Sequence, residues 1–228
     1  MNTMPSDPRP VRVWDLPTRV FHWALALAVV GLVITGKVGG NALVWHMQLG
    51  LCVLALLVFR VIWGVAGGHW SRFAQFSYGP AAAWRYFRAA PRSSERFDVG
   101  HNPLGGYSVW AMLVVLAVQV STGLLADDEI ATTGPLNRYV ATATGLAATA
   151  WHKGPGLVAL LALVALHVVA IVSYRVRGND LVTPMLRGDK RLAGDVMPSA
   201  DTLGARVRAL VALAVGAALA VAIARLGG

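Results

Sequence analysis

The sequence predicts an all-α membrane protein: a four-helix transmembrane bundle followed by a fifth, C-terminal transmembrane helix. Three observations carry this. Hydrophobic residues make up 56 % of the 228, charged residues only 14 %, and mean hydropathy is +0.58, which leaves too little polar surface for a soluble globule. Five stretches are apolar for the roughly 20 residues that a helix needs to cross a hydrocarbon core of about 30 Å. The basic residues also gather on one side of those stretches.

Residues 1–10, MNTMPSDPRP, contain three prolines and read as a disordered lead-in. The spans are expected at 20–36, 45–66, 104–126, 153–174 and 205–226, the first being the shortest. That first run starts late, behind VRVWDLPTR, and meets no convincing small-residue cleavage site, so it is expected to stay in the mature protein. The loop before the third span carries WSRFAQFSYGPAAAWRYF, whose aromatics and arginines suit an amphipathic helix on the inner headgroups. It ends in GHNPLGG, where Asn102 can cap the third span and Pro103 can occupy its first turn. The outer loop 127–150 is rich in small residues and poorly periodic, with room for one short interfacial helix. Domain limits follow: 1–10 lead-in, 11–190 transmembrane domain, 191–228 linker and last helix. No internal repeat stands out.

The net charge of +9 invites a nucleic-acid reading, but the placement of the charges argues for topology. With the N-terminus cytoplasmic, sixteen of the twenty Lys and Arg fall inside: three before the first span, six from Arg60 to Arg96 and seven from Arg175 to Arg208. Lys37, Arg138, Lys153 and Arg225 fall outside, with Asp127, Asp128 and Glu129. This asymmetry predicts a multi-pass protein of the bacterial inner (plasma) membrane, N-terminus cytoplasmic and C-terminus periplasmic. Its partners are lipid headgroups rather than nucleic acid. The single cysteine, Cys52, reads as a small core residue, and no CxxCH occurs to attach a haem covalently.

Six histidines remain to be placed, and an ionisable ring within a span is expensive unless it faces an interior partner. His22, in the first turn of the first span, and His167, toward the inner end of the fourth, share the inner level. His46 opens the second span and His152 the fourth, both from outside. On one ideal helix His152 and His167 would lie about 22 Å apart in rise and about 60° apart around the axis. Two imidazoles from facing helices, with no thiol or acid at either level, do not suit zinc or copper. They suit the two axial positions of a haem iron lodged in a helix bundle. The expected cofactors are therefore two non-covalent b-type haems, His22 with His167 and His46 with His152, in the four-helix bundle.

Gly50, one turn after His46, would let a porphyrin press on the backbone, although helix packing explains it equally well. Arg19 and Arg60 could pair with haem propionates; the alternative for both is snorkelling to headgroups. His69 and His101 lie in the inner loop, where a solvated ring is the default. His101, beside Asn102 at a helix start, could serve a quinone, whose carbonyls need donors and whose redox chemistry needs proton carriers.

Together, VRVWDLPTRVFHW at 11–23, HMQLGLCVLALLVFRVIWG at 46–64, RFAQF at 72–76, GHNPLGG at 100–106 and LVTPMLRGDK at 181–190 resemble the bacterial cytochrome b561 family. That family includes the di-haem cytochrome b subunits of membrane-bound nickel–iron hydrogenases. The resemblance covers about residues 10–190 and implies a four-helix, inner-membrane, di-haem carrier exchanging electrons with the quinone pool. By position it assigns the helix-one, helix-two and two helix-four histidines to His22, His46, His152 and His167. The fifth span departs from the four-helix pattern. Three functions follow as expectations: an electron conduit between quinone and a redox partner, a periplasmic cytochrome or hydrogenase-like enzyme; a quinone-linked superoxide oxidase needing no partner, with Lys37, Arg138 and Lys153 as its outer cations; or a haem-free anchor. The conduit ranks first. Enzymatic activity of the chain alone is left open.

Overall fold

A computed structural model describes residues 7–90, 92, 95–130 and 132–227. In chain order the elements are β1 (Arg9–Arg12), α1 (Leu16–Val38), α2 (Ala42–Ala66), α3 (Pro80–Phe87), α4 (Pro103–Leu125), α5 (Thr142–Lys153), α6 (Pro155–Val176), α7 (Val182–Arg187), β2 (Asp189–Leu192) and α8 (Leu203–Leu226). Among the described residues, five stretches are long and apolar enough to cross a membrane: α1, α2, α4, the stretch Thr142–Val176 that joins α5 to α6, and α8. Large apolar side chains such as Leu27, Val65 and Leu210 stand exposed along them, as lipid-facing surfaces require.

The chain forms two compact units. The first comprises residues up to 20, 61–110 and 167–209. Its centre is Asp15, fully buried. One carboxylate oxygen accepts from Thr18 N (2.8 Å) and Trp63 Nε1 (3.2 Å). The other accepts from Gly68 N (3.1 Å) and Ser71 Oγ (2.9 Å). Asp15 thereby caps α1, which explains why the helix begins at Leu16, earlier than the apolar pattern suggests, and why His22 sits in its second turn.

Strands β1 and β2 pair antiparallel, Arg9 opposite Leu192 and Arg12 opposite Asp189. Arg12 grips both Asp189 oxygens (2.7 and 3.2 Å) and reaches Asp201 at 2.8 Å. Just before β2, Gly188 takes φ +94, and a Cβ there would stand 2.7 Å from the Trp14 carbonyl, so only glycine fits the turn that closes α7. Two expectations change. The lead-in does not extend to residue 10, since Arg9 and Pro10 belong to β1; residues 1–6 lie outside the described residues. The segment expected to be a linker from 191 contributes Leu192 and Val196 to a core with Val11, Val13, Trp14 and Val99. A pairing between positions some 180 residues apart leaves no local trace in either short strand.

The second unit comprises residues 21–60, 111–166 and 210–228. Ala28, Val53, Leu57, Leu116 and Leu160 form its core, and Gly216 of α8 lies against the Ala55 carbonyl of α2. Cys52 is exposed rather than in the core; on a helix apolar all round, periodicity does not tell the packed face from the lipid face. The fourth span is also not one helix. Gly154 (φ −105, ψ −108) ends α5 and Pro155 starts α6, because proline brings no N–H and restricts the residue before it. The 60° offset of an unbroken helix therefore does not apply to His152 and His167. Helix α5 takes up the last part, 142–150, of the expected outer loop, which has room for one short helix. It is tied down by Thr149, whose hydroxyl accepts from Asp127 N (2.8 Å) and sits 2.9 Å from Asp127 O.

Candidate functional site

His46 projects from near the start of α2 and His152 from the last turn of α5. Their ring centres lie 5.9 Å apart with planes at 82°. Each Nδ1 meets a backbone carbonyl on a neighbouring helix: His46 with Leu32 O of α1 at 3.0 Å, His152 with Gln119 O of α4 at 2.9 Å. A carbonyl only accepts, so both Nδ1 atoms carry the proton and both Nε2 lone pairs are left for a metal. A hydrogen bond from one ring nitrogen to a fixed carbonyl is what commonly orients a histidine whose other nitrogen ligates a metal. An iron between two imidazoles, with bonds of about 2 Å to each, sets the ring centres about 6 Å apart. The observed spacing fits. A Cβ at Gly50, one turn along α2, would meet no atom within 4 Å, so the helix is open beside His46 to a flat ligand. Among the described residues no three His, Cys, Asp or Glu side chains converge.

The model of the prokaryotic cytochrome b561 family matches residues 13–188. The chain belongs to the prokaryotic cytochrome b561 family. It is a multi-pass membrane cytochrome of the b type, and its implied cofactor, haem b, fits the paired neutral imidazoles. Among its relatives, a probable Ni/Fe-hydrogenase B-type cytochrome subunit of Cupriavidus necator is 25 % identical over 209 residues, covering 77 % of this chain and 85 % of the relative. A protein of the same description from Bradyrhizobium diazoefficiens, 22 % identical over 79 % of this chain and 86 % of the relative, and a probable Ni/Fe-hydrogenase 1 B-type cytochrome subunit of Escherichia coli K12, 24 % identical over 51 % and 60 %, also match. No solved structure matches significantly. Helix α8 lies beyond the family's matched range.

The cytochrome's other expected site residues fall as follows. His22, half-buried in α1 of the second unit, has Trp23 edge-on at 5.1 Å. His167 is half-buried in α6 and belongs to the first unit. Arg60 is buried at 4 % exposure rather than extended toward headgroups. Arg19 donates to the Leu186 carbonyl at 2.6 Å and has Asp201 at 4.0 Å, so it braces α7 in this structure.

His101 is wedged between Trp14 and Phe76, each ring centre 4.8 Å away. Asn102 caps α4 as expected, accepting from Gly105 N at 2.8 Å, with Pro103 first in the helix. Its Nδ2 donates to Tyr174 OH (2.7 Å), which lies 2.6 Å from Tyr86 OH. Burial and that Tyr174 contact raise the Tyr86 phenol well above its ordinary range, so it stays protonated and able to donate. Burial and then the Arg72 charge lower the His69 pKa, which favours its neutral form.

Sequence reasoning missed the groups that hold the His46 and His152 rings: Leu32, Thr35 and Gly36 on α1, and Gln119, Thr122 and Gly123 on α4. Their only local signal is the Thr-Gly dipeptide, which occurs four times in the chain, and nothing in the sequence says which two copies face a histidine.

Proposed function

We propose that this cytochrome is a di-haem electron conduit between membrane quinone and a redox partner of the nickel–iron hydrogenase kind. The observation that carries the reading is the His46–His152 pair, with both Nε2 atoms free and both Nδ1 atoms anchored. Haem held there would supply a one-electron couple, and ligation by two histidines saturates the iron, which favours electron transfer over ligand activation. His22 and His167 are proposed as the second pair on the strength of their shared inner level in the sequence. Arg19 and Arg60 are proposed propionate partners. Quinone is assigned to the His101–Asn102 end, where Tyr86, Tyr174 and Asn102 form a donor chain that could serve its carbonyls. The hydrogenase partner rests on the relatives' descriptions. No specific observation favours the superoxide oxidase reading.

The test is spectroscopic. His46→Ala or His152→Ala should remove one haem from the reduced-minus-oxidised spectrum while sparing the other, and His22→Ala or His167→Ala should do the converse; His101→Ala should slow quinol-driven reduction with both haems kept. Retention of both haems in the His46 and His152 variants would sink the assignment. Orientation is a separate reading: cysteine labelling from the outer side should reach residue 128 and not residue 92, and the reverse would invert the topology.

A further inference from the structure

The outer histidines are gripped by the same five-residue device used twice. LVITG at 32–36 of α1 and QVSTG at 119–123 of α4 match in register. In each, the carbonyl of the first residue receives a histidine Nδ1–H, at 3.0 Å from Leu32 and 2.9 Å from Gln119. In each, the threonine hydroxyl donates to the carbonyl four residues back, Thr35 to Gly31 at 2.7 Å and Thr122 to Val118 at 2.8 Å. That leaves its oxygen lone pairs facing the imidazole, with Nδ1 at 3.3 Å from Thr35 and 3.4 Å from Thr122. In each, the closing glycine makes room for the ring: a Cβ at Gly36 would lie 3.1 Å from His46 Cε1, and one at Gly123 would lie 3.0 Å from His152 Cε1.

The copies differ at their first residue for a physical reason. His46 lies inside the continuous α2, whereas the His152 carbonyl is among those left without a helical partner where α5 ends. Gln119 supplies that partner, its Nε2 donating to His152 O at 3.2 Å. His152 is thus held at both its ring and its backbone, while Leu32 suffices opposite His46.

We propose that Thr35, Gly36, Gln119, Thr122 and Gly123 are positioning residues that set the orientation of the two outer haem ligands. The proposal rests on the haem reading of His46 and His152. The carbonyl fixes which nitrogen bears the proton, the hydroxyl narrows the ring's rotation, and the glycine sets how closely the ring approaches its neighbour helix.

The experiment uses the full-length, haem-loaded cytochrome and its other haem as folding control. Thr35→Val and Thr122→Val replace a hydroxyl with a methyl of the same shape; Thr35→Ser and Thr122→Ser restore the oxygen. Loss of such an outer-shell group is expected to weaken retention of the outer haem on the order of 10-fold. It should also change that haem's ferric low-spin EPR signal, whose anisotropy reports the angle between ligand planes, with the other haem unchanged and the serine variants recovered. Gly123→Ala should change the same signal by pushing the His152 ring, and Gln119→Leu by freeing its backbone. If His46→Ala removes the outer haem but the valine and alanine variants leave its EPR signal and retention as they were, the device is overturned and the haem reading stands. If His46→Ala leaves both haems bound, the haem reading falls and the device with it.

Discussion

The two units of this cytochrome use polar contacts for opposite ends. In the first, polar groups hold backbone: Asp15 gathers four donors from α1, α2 and the turn after it. Arg12 ties β1 to Asp189 and Asp201, and Ser199 bonds the Val13 carbonyl at 2.7 Å. In the second, apolar side chains from α1, α2, α4 and α6 make the core; the Thr35 and Thr122 hydroxyls face two imidazoles, and Gln119 holds His152 through its own carbonyl at the ring and its amide at the backbone. The lesson is that hydrogen bonds of the same chemistry carry different consequences. Loss of one set is read as stability, loss of the other as the state of a ligand.

That contrast can be broken at its strongest point. Asp15→Ala removes the shared acceptor of four buried donors, three of them backbone or indole N–H groups, and should destabilise by about 3 kcal/mol. Thermal unfolding in detergent would show it, and the EPR signal of the haem proposed at His46 and His152 should be unaltered in the fraction still folded. A changed signal with unchanged stability would erase the distinction between the units.

A smaller effect sharpens the same comparison. The Arg85 hydrogen bond, followed by the Arg92 backbone N–H, lowers the Glu95 pKa from 4.5 to about 2. A carboxyl whose folded pKa is depressed stabilises above its unfolded value and loses that contribution as pH falls toward its folded one. The melting-temperature gap between the native chain and Glu95→Gln should therefore be constant above about pH 5 and narrow between about pH 4.5 and pH 2. Because both side chains lie near the surface, the gap should be small, and a gap that widens on acidification would reverse the sign.

Much of the architecture was legible in residue order. The five apolar stretches and the cap at Asn102 depend on local composition, and the structure has them; the fifteen-residue spacing of His152 and His167 on one helix it does not have. The start of α1 was not legible, because Asp15 caps it with the help of Trp63, Gly68 and Ser71, which lie 48–56 residues away. Nor was the break at Gly154, since GP inside a long apolar run can be either a kink or a loop edge, and the Thr149–Asp127 contact favours helix before it.

The sequence alone determined that this chain enters a bilayer and carries histidines at positions suited to haem, because hydrophobic length and residue identity are local quantities. Only the tertiary structure decided which nitrogen of His46 and His152 is free and which side chains hold the rings. Those depend on two carbonyls of other helices, and every backbone carbonyl looks alike in a sequence. Packing selects the ones that meet an imidazole.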